Sequence, residues 1–241
     1  MGLEGGRVTL ADAANLHTFV DAAHFIANNT GFLATKALEQ LALSGAALGI
    51  ALAVALPLGV LLGHFHRGST IAIGASIVGR GLPSLVLIAA FLTVLGIGFI
   101  NNMVALAVLG SGPLLTNSYD GVERVDRDAV EAARGMGMTG WQVLRGVELP
   151  LAIPLIFTGI RVAAVTIVAT APIAAIAGGG GLGDIIVNQA SYRLSGVLGA
   201  SICVMLLSAL VFIALTGVQI AVTPRGVRRT SVVGEPQRRE L

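Results

Sequence analysis

The sequence predicts an all-α, polytopic membrane protein with about five transmembrane helices. Of its 241 residues, 55% are hydrophobic and only 12% are charged, whereas a soluble domain of this length needs a larger charged surface. The apolar residues are grouped in uncharged runs close to the roughly 20 residues that a spanning helix requires. Composition and run length together favour a bundle of spanning helices.

The bounds of the runs define the predicted spans. The uncharged run 81–119 is too long for one helix, and the polar break at 96–102 divides it into two. The fourth apolar run contains one charged residue, Arg161, and the fifth run ends before Pro224. The five predicted spans are 41–63, the two halves of 81–119, 151–177 and 194–223.

Basic residues predict the orientation, because cytoplasmic loops carry an excess of lysine and arginine. Eleven arginines lie in segments 64–80, 120–150 and 224–241, whereas the other side of the membrane would carry only Arg7, Lys36 and Arg193. The N-terminus is therefore predicted outside the cell and the C-terminus in the cytoplasm. A transmembrane domain, 41–223, follows an extracytoplasmic amphipathic segment, 1–40. A basic cytoplasmic tail, 224–241, follows it and suits contact with membrane lipid.

Residues 120–150, called the charged segment below, are predicted to form two short helices on the cytoplasmic side. Asp128 with Glu131, and Thr139 with Gln142, have the spacing of a capping box. Gly137, together with Gly135, suits a helix C-terminus because glycine tolerates a positive φ.

Pro150 suits the first turn of the fourth span, so the predicted order is helix, glycine turn, helix and membrane. Such a pair could simply join two spans at the interface, or it could dock into a groove on a partner. The residues Trp141, Leu144 and Val147 are expected on or near one face of the second helix.

The charged segment resembles the EAA loop of ABC importer permeases. That loop has the pattern Glu-Ala-Ala, three residues, Gly, nine residues, Ile, one residue, Leu-Pro. The matching residues here are Glu131, Ala132, Ala133, Gly137, Val147, Leu149 and Pro150. Val147 departs mildly from the pattern. The stretches LPSLVLIAAFLTVLGIGF, NSYDGV and GGGGLGDII resemble the glycine betaine/carnitine/choline/proline branch of that family, over roughly residues 41–222.

The resemblance implies a type I ABC importer permease in the bacterial plasma membrane. Such a chain would have no catalytic residues, because a separate ATPase hydrolyses ATP. Its implied partners are two ATPase subunits, a second permease chain, identical or different, and an extracytoplasmic substrate-binding protein. The loop would form coupling helices, with Glu131 contacting the ATPase, Gly137 as the turn and Leu149-Pro150 as the rigid join to the fourth span.

Four residues are candidates for a translocation path or gate. Arg161 is the only charged residue deep in a predicted span, and so costly a charge should face the bundle interior or reach an edge. It could have a structural role or contact substrate. Pro113 and Pro172 could kink spans to shape a path, and Asn117 lies in the NSYDGV stretch.

The glycine-rich stretch 177–184 is not a nucleotide site, because a P-loop needs lysine where Asp184 stands. A flexible external turn is expected there, with glycines serving as a hinge, for close packing or for substrate contact. Cys203 is the only cysteine, and the four histidines do not form a ligand cluster, so no metal site or cofactor is predicted. The basic excess is small and lacks interleaved aromatic residues, which argues against nucleic-acid binding.

The sequence leaves alternatives open for the transported solute and for the energy source. One tryptophan and two tyrosines cannot easily build an aromatic cage for a quaternary ammonium group, so recognition of a betaine would reside in a binding protein. The nearest alternative is an ABC permease for methionine or an alkyl sulfonate. An ion-coupled secondary transporter would usually have intramembrane acidic sites, and a structural scaffold would not need the EAA spacing.

Overall fold

The computed structural model describes residues 10–66, 74 and 83–223, and the regular structure in these ranges is helical. The predicted basic tail and most of the predicted loop 64–80 lie outside the described residues. The elements are α1 Leu10–Asn28, α2 Thr30–His64, α3 Ser84–Leu95, α4 Phe99–Glu123, α5 Arg127–Gly135, α6 Gly140–Val143, a π turn Leu144–Glu148, α7 Leu149–Thr170, a 3₁₀ turn Ala171–Ala177, α8 Gly183–Val187 and α9 Gln189–Val222.

Four described helical stretches are long and apolar enough to cross a membrane: α2, α4, the continuous stretch Gly140–Ala177, and α9. The predicted second span corresponds to α3, which is apolar but has 12 residues. The predicted break between the second and third spans is confirmed, because Gly96 and Gly98 adopt φ values of 74° and 139° between α3 and α4. The all-helical membrane fold is therefore confirmed for the described part of the chain.

The helix that contains the predicted first span begins at Thr30, eleven residues before residue 41. It is 35 residues long and continues through Pro57. The last long helix, α9, is interrupted at Arg193, whose φ of 55° is unusual for a residue other than glycine.

The chain divides into two compact units, and the first comprises Met1–Ile50, Leu82–Leu109 and Ala164–Leu210. Its core is rich in alanine, which lets helices approach closely in a membrane. The fully or nearly fully buried members are Leu43, Ala47, Ile88, Ala105, Leu106, Ala107, Leu109, Ile167, Ala171, Ala174 and Ala177.

The glycine-rich turn of this unit is fixed to α2 by charged side chains. Lys36 Nζ donates to Glu39 Oε2 and to Asp184 Oδ2, both at 2.8 Å. The backbone N–H of Gly181 donates to the same Glu39 carboxylate at 3.1 Å. A Cβ on Gly183 would overlap the carbonyl oxygen of Pro172, which supports close packing as the reason for glycine there.

Replacing Asp184 by asparagine is expected to lower the free energy of unfolding by about 0.2–1 kcal/mol, since the ion pair with Lys36 is partly exposed. The matched control is Asp21→Asn, which removes the same charge from an exposed residue of α1. Thermal unfolding of the detergent-solubilised protein measures both. A loss of equal size in the control would contradict a specific role for this pair.

The second unit comprises Ala51–Gly81, Gly110–Ala163 and Val211–Leu241. In it α2 and α4 approach so closely that a Cβ on Gly59 would lie 2.6 Å from the carbonyl oxygen of Leu115. A Cβ on Gly121 would likewise lie 3.2 Å from Leu155 Cβ of α7. This packing holds the helices on both sides of the charged segment.

Candidate functional site

The first helix of the charged segment, α5, begins at Arg127 and is capped by Asp126. The Asp126 carboxylate accepts a hydrogen bond from the backbone N–H of Asp128 at 3.0 Å. The capping box predicted for Asp128 and Glu131 is therefore wrong. Asp128 lies in the first turn instead, where a negative charge is favourable near the positive end of the helix dipole.

The turn after α5 confirms the positive φ predicted for Gly137 at the helix C-terminus. Its φ is +85°, and its N–H donates to the carbonyl oxygen of Arg134 at 2.9 Å. The next N–H, of Met138, donates to the carbonyl oxygen of Ala133 at 3.2 Å. These two bonds make a Schellman motif, which ends a helix at a left-handed residue. Gly135 is the last helical residue and does not adopt a positive φ.

The second helix, α6, begins as predicted. The N–H of Thr139 donates to Gln142 Oε1 at 2.7 Å, and the Thr139 hydroxyl lies 3.0 Å from the same oxygen. The Gln142 side chain thus caps the start of α6 and fixes the direction in which the chain leaves the glycine turn.

Pro150 lies in the first turn of α7, as predicted, but no break separates α6 from that span. The helix runs without a break from Gly140 to Ala177, because Leu144–Glu148 forms a π turn in which the N–H of Leu149 donates to the carbonyl oxygen of Leu144. Proline has no N–H to donate to the residue four positions earlier, and such local π turns accommodate the mismatch. The second helix of the charged segment is thus the end of a long apolar helix.

An apolar contact joins the two helices of the charged segment. Val130 and Ala133 of α5 pack against Val143 of α6, and all three are buried. Leu144 is also buried, whereas Trp141 is 55% exposed. Trp141, Leu144 and Val147, predicted on or near one face, thus differ in exposure, and Val147 is half-buried.

Five residues of the helix pair that are open to solvent are together called the exposed face. Met136 is 78% exposed, and the Arg145 guanidinium lies 4.6 Å from the centre of the Trp141 ring. Tryptophan, methionine and arginine are the residue types enriched in protein interfaces. The exposed face consists of Glu131, Ala132, Met136, Trp141 and Arg145.

The seven residues of the EAA pattern lie in this helix–turn–helix or at its join to α7, and they differ in exposure. Glu131, Ala132 and Gly137 are exposed, and Ala133 is buried between the helices. The other three are half-buried at the join to α7: Val147, Leu149 and Pro150. The pattern thus combines surface positions with positions that hold the segment to the membrane domain.

Two residues that the sequence analysis missed form a buried polar contact beneath the segment. His64 Nδ1 lies 2.6 Å from Glu148 Oε2. His64, the first residue of the predicted cytoplasmic segment 64–80, is the last residue of α2. Glu148 and Glu131 also line a cavity of about 330 Å³ together with Arg127 and Arg134. A glutamate next to Leu-Pro in an apolar helix was the available signal, but its partner is 84 residues away.

Pro113 and Asn117 lie together at a helix contact. The Asn117 side-chain amide donates to the carbonyl oxygen of Pro113 at 2.7 Å. A Cβ on Gly159 of α7 would lie 2.7 Å from Asn117 Cβ. Pro172 is buried in the 3₁₀ turn and belongs to the other unit.

Arg161 contacts α9 through a hydroxyl and an aromatic ring. Its Nη1 donates to Thr216 Oγ1 at 3.1 Å, and its guanidinium carbon lies 4.9 Å from the centre of the Phe212 ring. These contacts stabilise a membrane charge without a carboxylate. A path or gate made by Arg161, Pro113, Asn117 and Pro172 stays a prediction. Among the described residues, no three His, Cys, Asp or Glu side chains could together hold a metal ion.

Long apolar helices with a capped helix–turn–helix between two of them define a polytopic integral membrane protein. Residues 55–225 match the family model described as "Binding-protein-dependent transport system inner membrane component". The chain belongs to this family and is a transport component of the inner membrane.

Relatives of known name extend the comparison over most of the chain. Identity is 37% to the glycine betaine/carnitine/choline transport system permease protein OpuCB of Bacillus subtilis (strain 168), over 85% of this chain and 94% of that protein. Identity is 36% to the carnitine transport permease protein OpuCB of Listeria monocytogenes, over 88% of this chain and 97% of that protein.

The fold is shared with solved ABC importers. An inward-facing structure of the MetNI methionine ABC transporter superimposes with a TM-score of 0.70, covering 82% of this chain and 99% of that chain. The sequence identity is 23%, so this likeness bears on the fold alone.

Proposed function

We propose that this chain is the permease subunit of an ATP-driven ABC importer for an osmoprotectant such as glycine betaine, choline, carnitine or proline. The observation that carries the proposal is the identity of 35–37% to permeases named for glycine betaine, carnitine and choline transport, over at least 85% of this chain. A permease for methionine or an alkyl sulfonate is the second candidate, favoured by fold likeness to the methionine transporter only.

In this proposal the charged segment docks on an ATPase subunit in the cytoplasm. The exposed face supplies an aromatic ring, a guanidinium and the Glu131 carboxylate, which suit a groove with apolar and polar parts. Because the helix is continuous from Gly140 to Ala177, a force on α6 acts directly on α7. ATP hydrolysis belongs to the ATPase, and two ATPase subunits would serve a pair of permease chains.

Recognition of the solute is assigned to an extracytoplasmic binding protein. A cage for a quaternary ammonium group needs several aromatic faces around one point. Trp141 lies in the charged segment, Tyr119 is buried, and Tyr192 stacks on Phe32 with ring centres 6.1 Å apart. This distribution favours a permease that conducts a solute delivered to it.

Replacing Trp141 by alanine is expected to weaken binding of the ATPase by about 2 kcal/mol, roughly thirtyfold, because an exposed tryptophan in an interface is typically a hot spot. Its exposure means that the stability of the permease alone should change by no more than about 0.5 kcal/mol. Titration of the ATPase against the permease in nanodiscs measures the affinity. Val94→Ala, at a residue 79% exposed on α3, is the control, and an equal loss there would contradict the docking role.

Uptake of radiolabelled glycine betaine into proteoliposomes tests the substrate. The vesicles contain this chain, its ATPase and its binding protein, with ATP available to the ATPase. Unlabelled choline, carnitine or proline is expected to compete, and methionine is not. ATP-driven uptake of radiolabelled methionine in the same vesicles, with no betaine uptake, would move the assignment to the second candidate.

A further inference from the structure

Two polar side chains meet in an otherwise apolar part of the second unit. His64 ends α2 and Glu148 ends the π turn, with Nδ1 and Oε2 2.6 Å apart. Their side chains are only 11% and 2% exposed. A buried carboxylate is costly unless a hydrogen-bonding partner satisfies it, so the two residues hold one another in place.

The surroundings make this contact a link between elements. The imidazole also approaches α6, since a Cβ on Gly140 would lie 3.6 Å from His64 Nε2. One ring thus reaches the first residue of α6 and the last residue of the π turn that continues it. The neighbouring apolar cluster consists of Val60, Val122, Leu144, Ala152 and Ile156.

The end of α2 is itself fixed within the second unit. A Cβ on Gly63 would lie 2.8 Å from the carbonyl oxygen of Tyr119 and 2.9 Å from Val122 Cβ. The backbone next to His64 therefore has little room to move independently of α4. A displacement passed to His64 would reach a packed helix pair rather than a loose end.

We propose that the His64–Glu148 contact is a coupling joint that passes movement of the charged segment to α2. The proposal rests on the proposed function, in which an ATPase moves that segment. One continuous helix already connects α6 to α7. In contrast, α2 lies far from α6 in the sequence and can be linked to it only through side-chain contacts. Apolar contacts are non-directional, but a short hydrogen bond between these groups fixes their relative position. His64 and Glu148 are thus positioning residues for transport.

The first test replaces Glu148 by leucine, which keeps the bulk and removes the acceptor. ATP hydrolysed per glycine betaine imported is expected to rise about tenfold, within the range by which residues of a coupling network alter coupling. Glu148→Gln keeps an acceptor oxygen and should lie between leucine and native. Ser118→Ala is the control, because that buried hydroxyl has no hydrogen-bond partner within the described structure. Equal loss of ATPase stimulation and uptake in Glu148→Leu, leaving the ratio unchanged, would show a purely structural role and overturn the joint.

The second test restores the link covalently. Cys203 is the only cysteine of the chain, so Cys203→Ser gives a background for His64→Cys with Glu148→Cys. Uptake should be low before these thiols are joined by a short bifunctional reagent and should recover afterwards. Native uptake before joining, or loss after joining, would contradict a joint whose two sides move together. If the double variant fails to insert, the Glu148→Leu and Glu148→Gln comparison decides.

The native complex separates the two proposals. Absence of ATP-driven uptake of every osmoprotectant tested, with native protein inserted, overturns the proposed function and the joint with it. Native uptake with an unchanged ratio in Glu148→Leu overturns the joint alone.

Discussion

Gly137→Val is expected to abolish ATP-driven uptake while the permease still inserts into the membrane. The φ of +85° at Gly137 costs an L-residue about 1–2 kcal/mol, and a β-branched one more. No atom lies within 4 Å of a Cβ built there, so the effect comes from the backbone and not from a clash. The Schellman turn should rearrange and move the exposed face.

Gly135→Val is the matched control for this prediction. Gly135 lies two residues earlier, has equally open surroundings and does not adopt a positive φ. Uptake and ATPase binding are measured for both variants at equal amounts of inserted protein. Equal loss at Gly135 and Gly137 would contradict the turn geometry as the cause.

Gly59→Val is expected to have the largest effect on stability. A Cβ there would lie 2.6 Å from the carbonyl oxygen of Leu115 and 2.8 Å from Ser118 Cβ. A backbone oxygen cannot turn away as a flexible side chain can, so α2 and α4 must separate. Overpacking of this kind typically costs about 1–3 kcal/mol of unfolding free energy. The two methyl groups of valine extend beyond Cβ and add to this cost.

Gly49→Val, on the same helix, tests whether the loss of stability comes from the position of Gly59 or from replacing any glycine by valine. Nothing lies within 4 Å of a Cβ at Gly49. Thermal unfolding in detergent should show a large decrease in Tm for Gly59→Val and little change for Gly49→Val. Similar decreases would mean that loss of glycine in a membrane helix, and not the contact with α4, accounts for the effect.

Local signals predicted the glycine turn and the cap of α6. Thr139, Gln142 and Gly137 act on backbone groups a few residues away, so their spacing alone carries the information. Asp128 failed as a cap because Asp126, two residues earlier, offers the same carboxylate at the correct position. Either Asp126 or Asp128 could serve as the N-cap by residue type. The two lie two residues apart, which is the amount by which assigned helix ends commonly differ.

Features that depend on distant residues were not predictable from the sequence. The contact of His64 with Glu148 joins residues 84 positions apart. Helix continuity through Pro150 depends on a π turn, whereas proline usually indicates a helix start or break. The spans were predicted from uncharged apolar runs. The helix α2 nevertheless begins at Thr30 and includes Lys36 and Glu39. Lys36 forms ion pairs with Glu39 and with Asp184.

The most direct measurement of the central proposal is uptake of radiolabelled glycine betaine with the energy source varied. Proteoliposomes holding this chain, its ATPase and its binding protein are compared with vesicles holding an ATPase that binds ATP without hydrolysing it, with and without ionophores. We expect uptake that requires hydrolysis and persists when ionophores remove all ion gradients. Uptake by this chain without a functional ATPase, abolished by ionophores, would contradict the account and identify a gradient-driven transporter.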